Sequence, residues 1–197
     1  MTQRISPALT QDNPAIEGLL ARVQARMGFV PNSMRVMAHW PDLLNAFSSL
    51  ATTVLGPGLL DPAFKQLVAF VTSNAAGCRY CQAHTAHGAH GRGVDEAKLL
   101  AAFEFDTSPH FSPSERAALR VAAHGGVSPS AVDDADFDEL RRHFSEPEMV
   151  ELTAIISLFG FLNRWNDTLA TALEPSPTAF AAATFAGNGW KSGKHAE

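Results

Sequence analysis

The chain has 197 residues, a formal net charge of -5 and a hydrophobic content of 46%. That content supports a substantial buried core, and the scattered basic residues leave none of the electrostatic footprint that nucleic-acid binding requires. No stretch approaches the roughly 20 apolar residues that cross a bilayer, Met1 to Asn13 lack an apolar signal region, and only two cysteines are present, so a protein of a reducing, cytoplasmic compartment is expected.

In chain order, Asn13 reads as an N-cap and Pro14 as a first helical residue. Ile16, Leu19, Leu20, Val23 and Met27 follow at helical spacing, which predicts a helix to Met27. Pro31 and Pro41 punctuate two further helical pieces, over about 32–39 and about 42–54, the second closed by Gly56, Pro57 and Gly58. Asp61 and Pro62 open a helix to about Asn74, and Ala75, Ala76 and Gly77 break it. The next helix is predicted to start at or near Cys78 and to stop around Gly91 to Gly93, with a short one following from Asp95 to about Phe103.

Two capping boxes follow, Ser112 with Glu115 and Ser145 with Glu148, each with a proline in the first turn. The second leads into a helix predicted to reach about Leu173, too rich in Ile155, Ile156, Leu158, Phe159, Phe161 and Leu162 to be a surface element. Long alternating strand patterns are absent, so the expected fold is an all-α bundle of seven or more helices. Residues 1–174 are read as one all-helical domain. Residues 175–197, rich in Pro, Ala, Gly and Ser, are read as a C-terminal extension, and Phe180, Phe185 and Trp190 suit packing against another surface, a neighbouring subunit among the candidates.

The chemistry is concentrated in NAAGCRYCQAHTAHGAH, Asn74 to His90. In a reducing compartment, two cysteines three positions apart suit catalysis, redox sensing or metal binding better than a structural crosslink. In a helix opening at Cys78, the sulfurs of Cys78 and Cys81 share a face with Thr85, and His84 flanks Cys81. The helix N-terminus favours a thiolate there, and Arg79 and a protonated His84 would act in the same direction. A thiolate that attacks a peroxide oxygen becomes a sulfenic acid, and a second thiol one turn away condenses with it to a disulfide. His84, His87 and His90 spiral around the helix, so at most Cys81, His84 and His87 converge, and neither a metal ion nor an organic cofactor is expected. Asn163, Arg164 and Asp167 interrupt an apolar helix and read as a buried polar network or subunit contact.

The run LDPAFKQLVAFVTSNAAGCRYCQAHTAHGAHGRG, Leu60 to Gly93, supported by FLNRWNDTLA, Phe161 to Ala170, resembles the AhpD-like alkyl hydroperoxidases of the carboxymuconolactone decarboxylase superfamily, in the branch called peroxidase-related. The resemblance implies an AhpD-like helical bundle, a homo-oligomer with trimers or hexamers expected, and roles for Cys81 as the peroxide-attacking sulfur and Cys78 as its disulfide partner. Two positions depart from the family's pattern: Gln66 stands where a glutamate is usual, and Thr85 where a histidine is usual. A glutamine cannot act as a carboxylate base. His84 is therefore expected to replace the missing histidine, with Gln66 orienting a water or a substrate oxygen.

The reading is of a thiol-dependent peroxidase that reduces hydrogen or organic peroxides through Cys81 and Cys78 and is reduced in turn by a dithiol or protein donor. The alternatives are a redox-responsive or structural oligomer without turnover, and a lyase of the decarboxylase arm of the superfamily. Lactone chemistry needs no dithiol.

Overall fold

Asn13 Oδ1 accepts the Ile16 N–H at 3.2 Å, and Pro14, which has no N–H to leave unpaired, begins α1 (Pro14–Met27). The structure, a computed structural model, describes residues 3–196. After α1 come α2 (Asn32–Met37), α3 (Pro41–Leu55), α4 (Pro62–Ala75), α5 (Arg79–His90), α6 (Glu96–Ala101), α7 (Pro113–Gly126), α8 (Asp134–Arg141), α9 (Glu146–Leu169) and α10 (Pro175–Thr184). The described residues thus hold ten α-helices and no strand, which meets the all-α expectation. None of these helices is long and apolar enough to cross a membrane.

The helix starts follow the capping chemistry. Asp61 Oδ1 accepts the N–H groups of Ala63 and Phe64 at 2.8 and 3.1 Å, and both anticipated capping boxes, Ser112 with Glu115 and Ser145 with Glu148, are formed. Two helices escape the sequence reading. α8 is opened by a box built from two aspartates, Asp133 and Asp136, instead of the Ser-to-Glu form, and α10 follows Glu174 through a Pro-, Ser- and Ala-rich segment of weak periodicity. α9 stops earlier than its apolar run suggests, because Ala170 turns into the left-handed region (φ 49°) and reverses the chain.

α4 is the hub, packed on α5, α7 and α9. Every residue from Lys65 to Ser73 is buried, the pattern of a helix surrounded on all sides by protein. The cost of burying Lys65 is met locally. Its ammonium donates to the carbonyls of Val54 at 3.0 Å and Gly56 at 2.7 Å and pairs with Glu151 of α9.

Around this hub lies the main core, from Val54 to Trp190. A smaller cluster of Ile16, Leu19, Leu20, Val30, Met34, Met37, Ala38 and Leu44 belongs to α1, α2 and the start of α3, and Phe47 and Leu162 touch both clusters. The seam between the two clusters is where the cavity described below opens. Residues 175–196 return over their own chain: α10 packs on α5, Phe185 stacks on Phe70 of α4 with ring centroids 5.5 Å apart, and Trp190 is buried.

Candidate active site

The turn between α4 and α5 places the cysteines. Gly77 adopts φ 74°, a conformation that costs an L side chain about 1–2 kcal/mol, and closes a Schellman motif in which its N–H meets Asn74 O at 3.0 Å and the Cys78 N–H meets Ser73 O at 3.2 Å. Cys78 is thereby delivered as the N-cap of α5. Its sulfur takes the place of the usual capping oxygen and accepts the Cys81 backbone N–H at 3.5 Å. Both cysteines are free thiols and both are buried.

The two sulfurs face different surroundings. Cys81 lies on the wall of a cavity of about 310 Å³ at the seam between the two clusters, and Cys78 sits behind it. Phe29, Met34, Phe47, Phe159 and Leu162 give the cavity an apolar body, Gln66, Tyr80, His84 and Asn166 supply polar groups, and Arg26 and Arg92 stand at its edge. A larger groove of about 520 Å³ between α1 and α3 contains neither cysteine. The Asn166 side-chain amide donates to the Cys81 sulfur at 3.5 Å.

The Cys78 thiol is lowered to about 6, chiefly by the hydrogen bond from the Cys81 thiol and then, against the opposing effect of burial, by the His195 ring and the Cys81 backbone N–H. Burial pushes the Cys81 thiol up, and its bond to Cys78 and the charge of that sulfur push it further in the same direction. Both directions favour the thiolate on Cys78 and the thiol on Cys81. The groups that stabilise the thiolate are Cys81 and His195; the Arg79 guanidinium is turned to Gln82 Oε1 at 2.9 Å.

His195 arrives from the C-terminal segment. It is buried, its Nδ1 donates to Thr171 O at 2.8 Å, and the Cys78 sulfur, an Asp167 carboxylate oxygen and a His195 ring nitrogen lie within 4.8 Å of one another. Asp167 holds the segment through Lys194 at 2.6 Å, with His195 Nε2 at 3.6 Å.

On the cavity side a second polar unit forms. His84 Nε2 lies 2.5 Å from Glu174, the Tyr80 hydroxyl donates to the same carboxylate at 2.8 Å, and the Asn32 backbone N–H completes the set. Burial works against ionisation of Glu174, but the His84 ring and the Asn32 N–H hold its carboxyl below the usual range. The His84 ring stacks on Tyr80 at 4.3 Å, so it borders the cavity beside Cys81 while its hydrogen bond goes to Glu174.

Gln66 is on the cavity wall with its amide oxygen over Gly88, where an added Cβ would come within 2.8 Å. The Thr85 hydroxyl is occupied by its own helix, donating toward Cys81 O at 2.7 Å and Gln82 O at 3.2 Å. Cys81, His84 and His87 do not form a donor set close enough to share an ion among the described residues. Asn166 and His195 beside the cysteines, and Glu174 beside His84, were not singled out by sequence. Only Asn166 left a signal there, as a polar break inside the apolar Phe161–Ala170 run.

The carboxymuconolactone decarboxylase family matches over residues 41–124. The protein YnjA of Escherichia coli (strain K12) is 36% identical over 110 residues, 56% of this chain and 60% of YnjA, so the chain spans well under two thirds of that relative's length. The debrominase Bmp8 is similar over 93% of this chain and 99% of its own, with 36% identity and a TM-score of 0.86, and a variant of it with one cysteine replaced by alanine has been solved in complex with 2,3,4-tribromopyrrole. An uncharacterized peroxidase-related protein from Ralstonia eutropha JMP134, described as an alkylhydroperoxidase AhpD core, aligns over 89% of this chain and 94% of its own, at 26% identity and a TM-score of 0.79.

Proposed function

The chain belongs to the carboxymuconolactone decarboxylase family, and within it we propose a thiol-dependent peroxidase that reduces organic hydroperoxides through Cys81 and Cys78. The observation that carries this reading is the position of Cys81 on the wall of a largely apolar cavity, with the Cys78 sulfur behind it accepting the Cys81 backbone N–H at 3.5 Å.

In the first step the Cys81 sulfur gives an electron pair to the terminal oxygen of the hydroperoxide. The S–O bond forms and the O–O bond breaks, and the Cys81 thiol proton passes by way of the His84 ring to the departing alkoxide, giving sulfenic acid and alcohol. His84, backed by Glu174, is the group placed to hand over that proton, and Gln66 orients the oxygen. Cys78 then closes the disulfide, and an external dithiol restores both thiols. Electrons come from sulfur throughout, so the cycle needs no organic cofactor.

Reduced protein mixed with one equivalent of cumene hydroperoxide should lose two thiols per chain and regain them with dithiothreitol. A Cys81→Ser variant should do neither, and persistence of both thiols in the unaltered chain rejects the reading. Slow disulfide formation accompanied by a change in assembly would instead favour a redox-responsive oligomer. Homo-oligomerisation itself is part of the proposal, since Leu50 on α3 and Val150 and Phe161 on α9 remain exposed.

The likeness to Bmp8 favours a second reading, reductive removal of halogen from a small aromatic ring. The same two sulfurs would supply the electrons, replacing a carbon–halogen bond by carbon–hydrogen, with halide released and the disulfide formed. Halide release from a bromopyrrole, without thiol loss to hydroperoxide, would select it.

A further inference from the structure

Gln66 and Thr85 stand where the family resemblance leads one to expect a carboxylate and an imidazole, and besides His84 on the cavity side the cysteine pair has an imidazole on its other side. His195 lies against Cys78, fixed through Nδ1 to the Thr171 carbonyl, with Nε2 directed toward the sulfur and Asp167. That Nε2 is buried and has no hydrogen-bond partner among the described residues. We propose that His195, oriented by Thr171 and Asp167, is the proton acceptor and counter-ion of the Cys78 sulfur, so that the C-terminal segment supplies a second acid–base group on the side of the pair away from the cavity.

The proposal rests on the Cys81 and Cys78 pair being the working dithiol, and it assigns the roles within that pair. A donor bond from Nδ1 to a carbonyl fixes the tautomer, leaving Nε2 free to take a proton from the thiol. The resulting imidazolium faces a thiolate and the Asp167 carboxylate, an arrangement of alternating charge. The other charged or titratable groups around it are Lys194, which is paired with Asp167 at 2.6 Å, Tyr80, whose ring lies 5.9 Å from His195 and whose hydroxyl is bonded to Glu174, and the Cys81 thiol. His195 is itself raised: burial acts downward, and the nearby Cys78 sulfur and the bond to the Thr171 carbonyl outweigh it.

The step this serves is disulfide closure. The Cys78 thiolate gives its electron pair to the sulfenic sulfur of Cys81, the S–S bond forms, the S–O bond breaks, and hydroxide leaves. The proton that balances hydroxide to water is the one His195 sheds once the anion beside it has gone. On reduction, an incoming dithiol is oxidised to its disulfide and returns two protons, one to Cys81 and one to His195, restoring the thiol, the thiolate and the imidazolium.

Thiolate absorbance near 240 nm, followed against pH in reduced protein without any substrate, tests this. The unaltered chain should show one thiolate ionising near pH 6. In His195→Gln that titration should move up by about two pH units, so that the signal at pH 7 falls about tenfold. Superimposed curves for the unaltered chain and His195→Gln overturn the proposal. If His195→Gln does not fold, histidine-ring NMR in Cys78→Ser serves instead: the His195 titration should drop from its raised position, and an unchanged titration is equally fatal. Because both measurements omit substrate, absence of peroxide turnover would reject the peroxidase reading without touching this one, and turnover with unshifted titrations would do the reverse.

Discussion

The Asn166 amide donates to the Cys81 sulfur across 3.5 Å, tying α9 to the reactive face of α5. Burial and the neighbouring thiolate both oppose ionisation of Cys81, and Asn166 is the one donor that works the other way. Replacing it with alanine removes about 1 kcal/mol of support. The single-turnover rate of Cys81 with hydroperoxide, read by stopped flow, should fall about fivefold. Asn166→Asp should be slower still, because it adds a negative charge beside the sulfur.

His84 and the thiolate are separable. Since the groups that lower Cys78 are Cys81 and His195, His84→Asn should leave the 240 nm titration in place. Turnover should nevertheless drop by about 100-fold, the usual scale for losing a general acid. A shifted thiol titration in this variant would show that His84 acts on sulfur and not on the leaving group.

Glu174 joins Tyr80, His84 and the Asn32 backbone, so Glu174→Ala strands three polar groups and should destabilise the fold by about 2–3 kcal/mol in urea unfolding. The carboxyl is depressed in the folded state, so its contribution is fully present above the unfolded value near 4.5 and is lost as pH falls through the lower, folded value. The unaltered chain should therefore lose stability below about pH 4.5 in a component that Glu174→Gln lacks.

Gly77→Ala tests the turn that presents Cys78. A methyl group meets no atom there, so the expected cost of about 1–2 kcal/mol comes from φ 74° alone. The thermal midpoint should fall by several degrees while the thiol titration stays near pH 6.

Lys65→Ala should be the most damaging of these changes, about 3 kcal/mol or more. It deprives the Val54 and Gly56 carbonyls of their donor and leaves Glu151 without its cation. Adding Glu151→Gln should recover part of the loss, measured as the shift in urea midpoint at constant slope.

Local rules go far in this chain. Asn13, Asp61, Ser112 and Ser145 each announce a helix that forms where the cap predicts, and the Ala75 to Gly77 break before Cys78 is a Schellman turn. What stays hidden depends on contacts between distant parts of the chain. Nothing near His195 indicates that it will meet a sulfur 117 residues earlier, and Glu174 becomes a hub only when α10 folds onto α5. Helical spacing placed His84 beside Cys81, but periodicity does not reveal which neighbour its ring nitrogen chooses. Asp167, read as part of a polar network in α9, belongs to one whose other members lie in the returning C-terminal segment.

The sulfur of Cys78, a reactant in the proposed cycle, is also the cap of α5. Oxidation redirects its lone pairs, so the Cys81 amide loses part of its acceptor whenever the disulfide closes. Hydrogen–deuterium exchange at that single amide should then serve as an internal gauge of the redox state, readable without any added dye or coupled assay, with faster exchange at the helix start expected in the oxidised form.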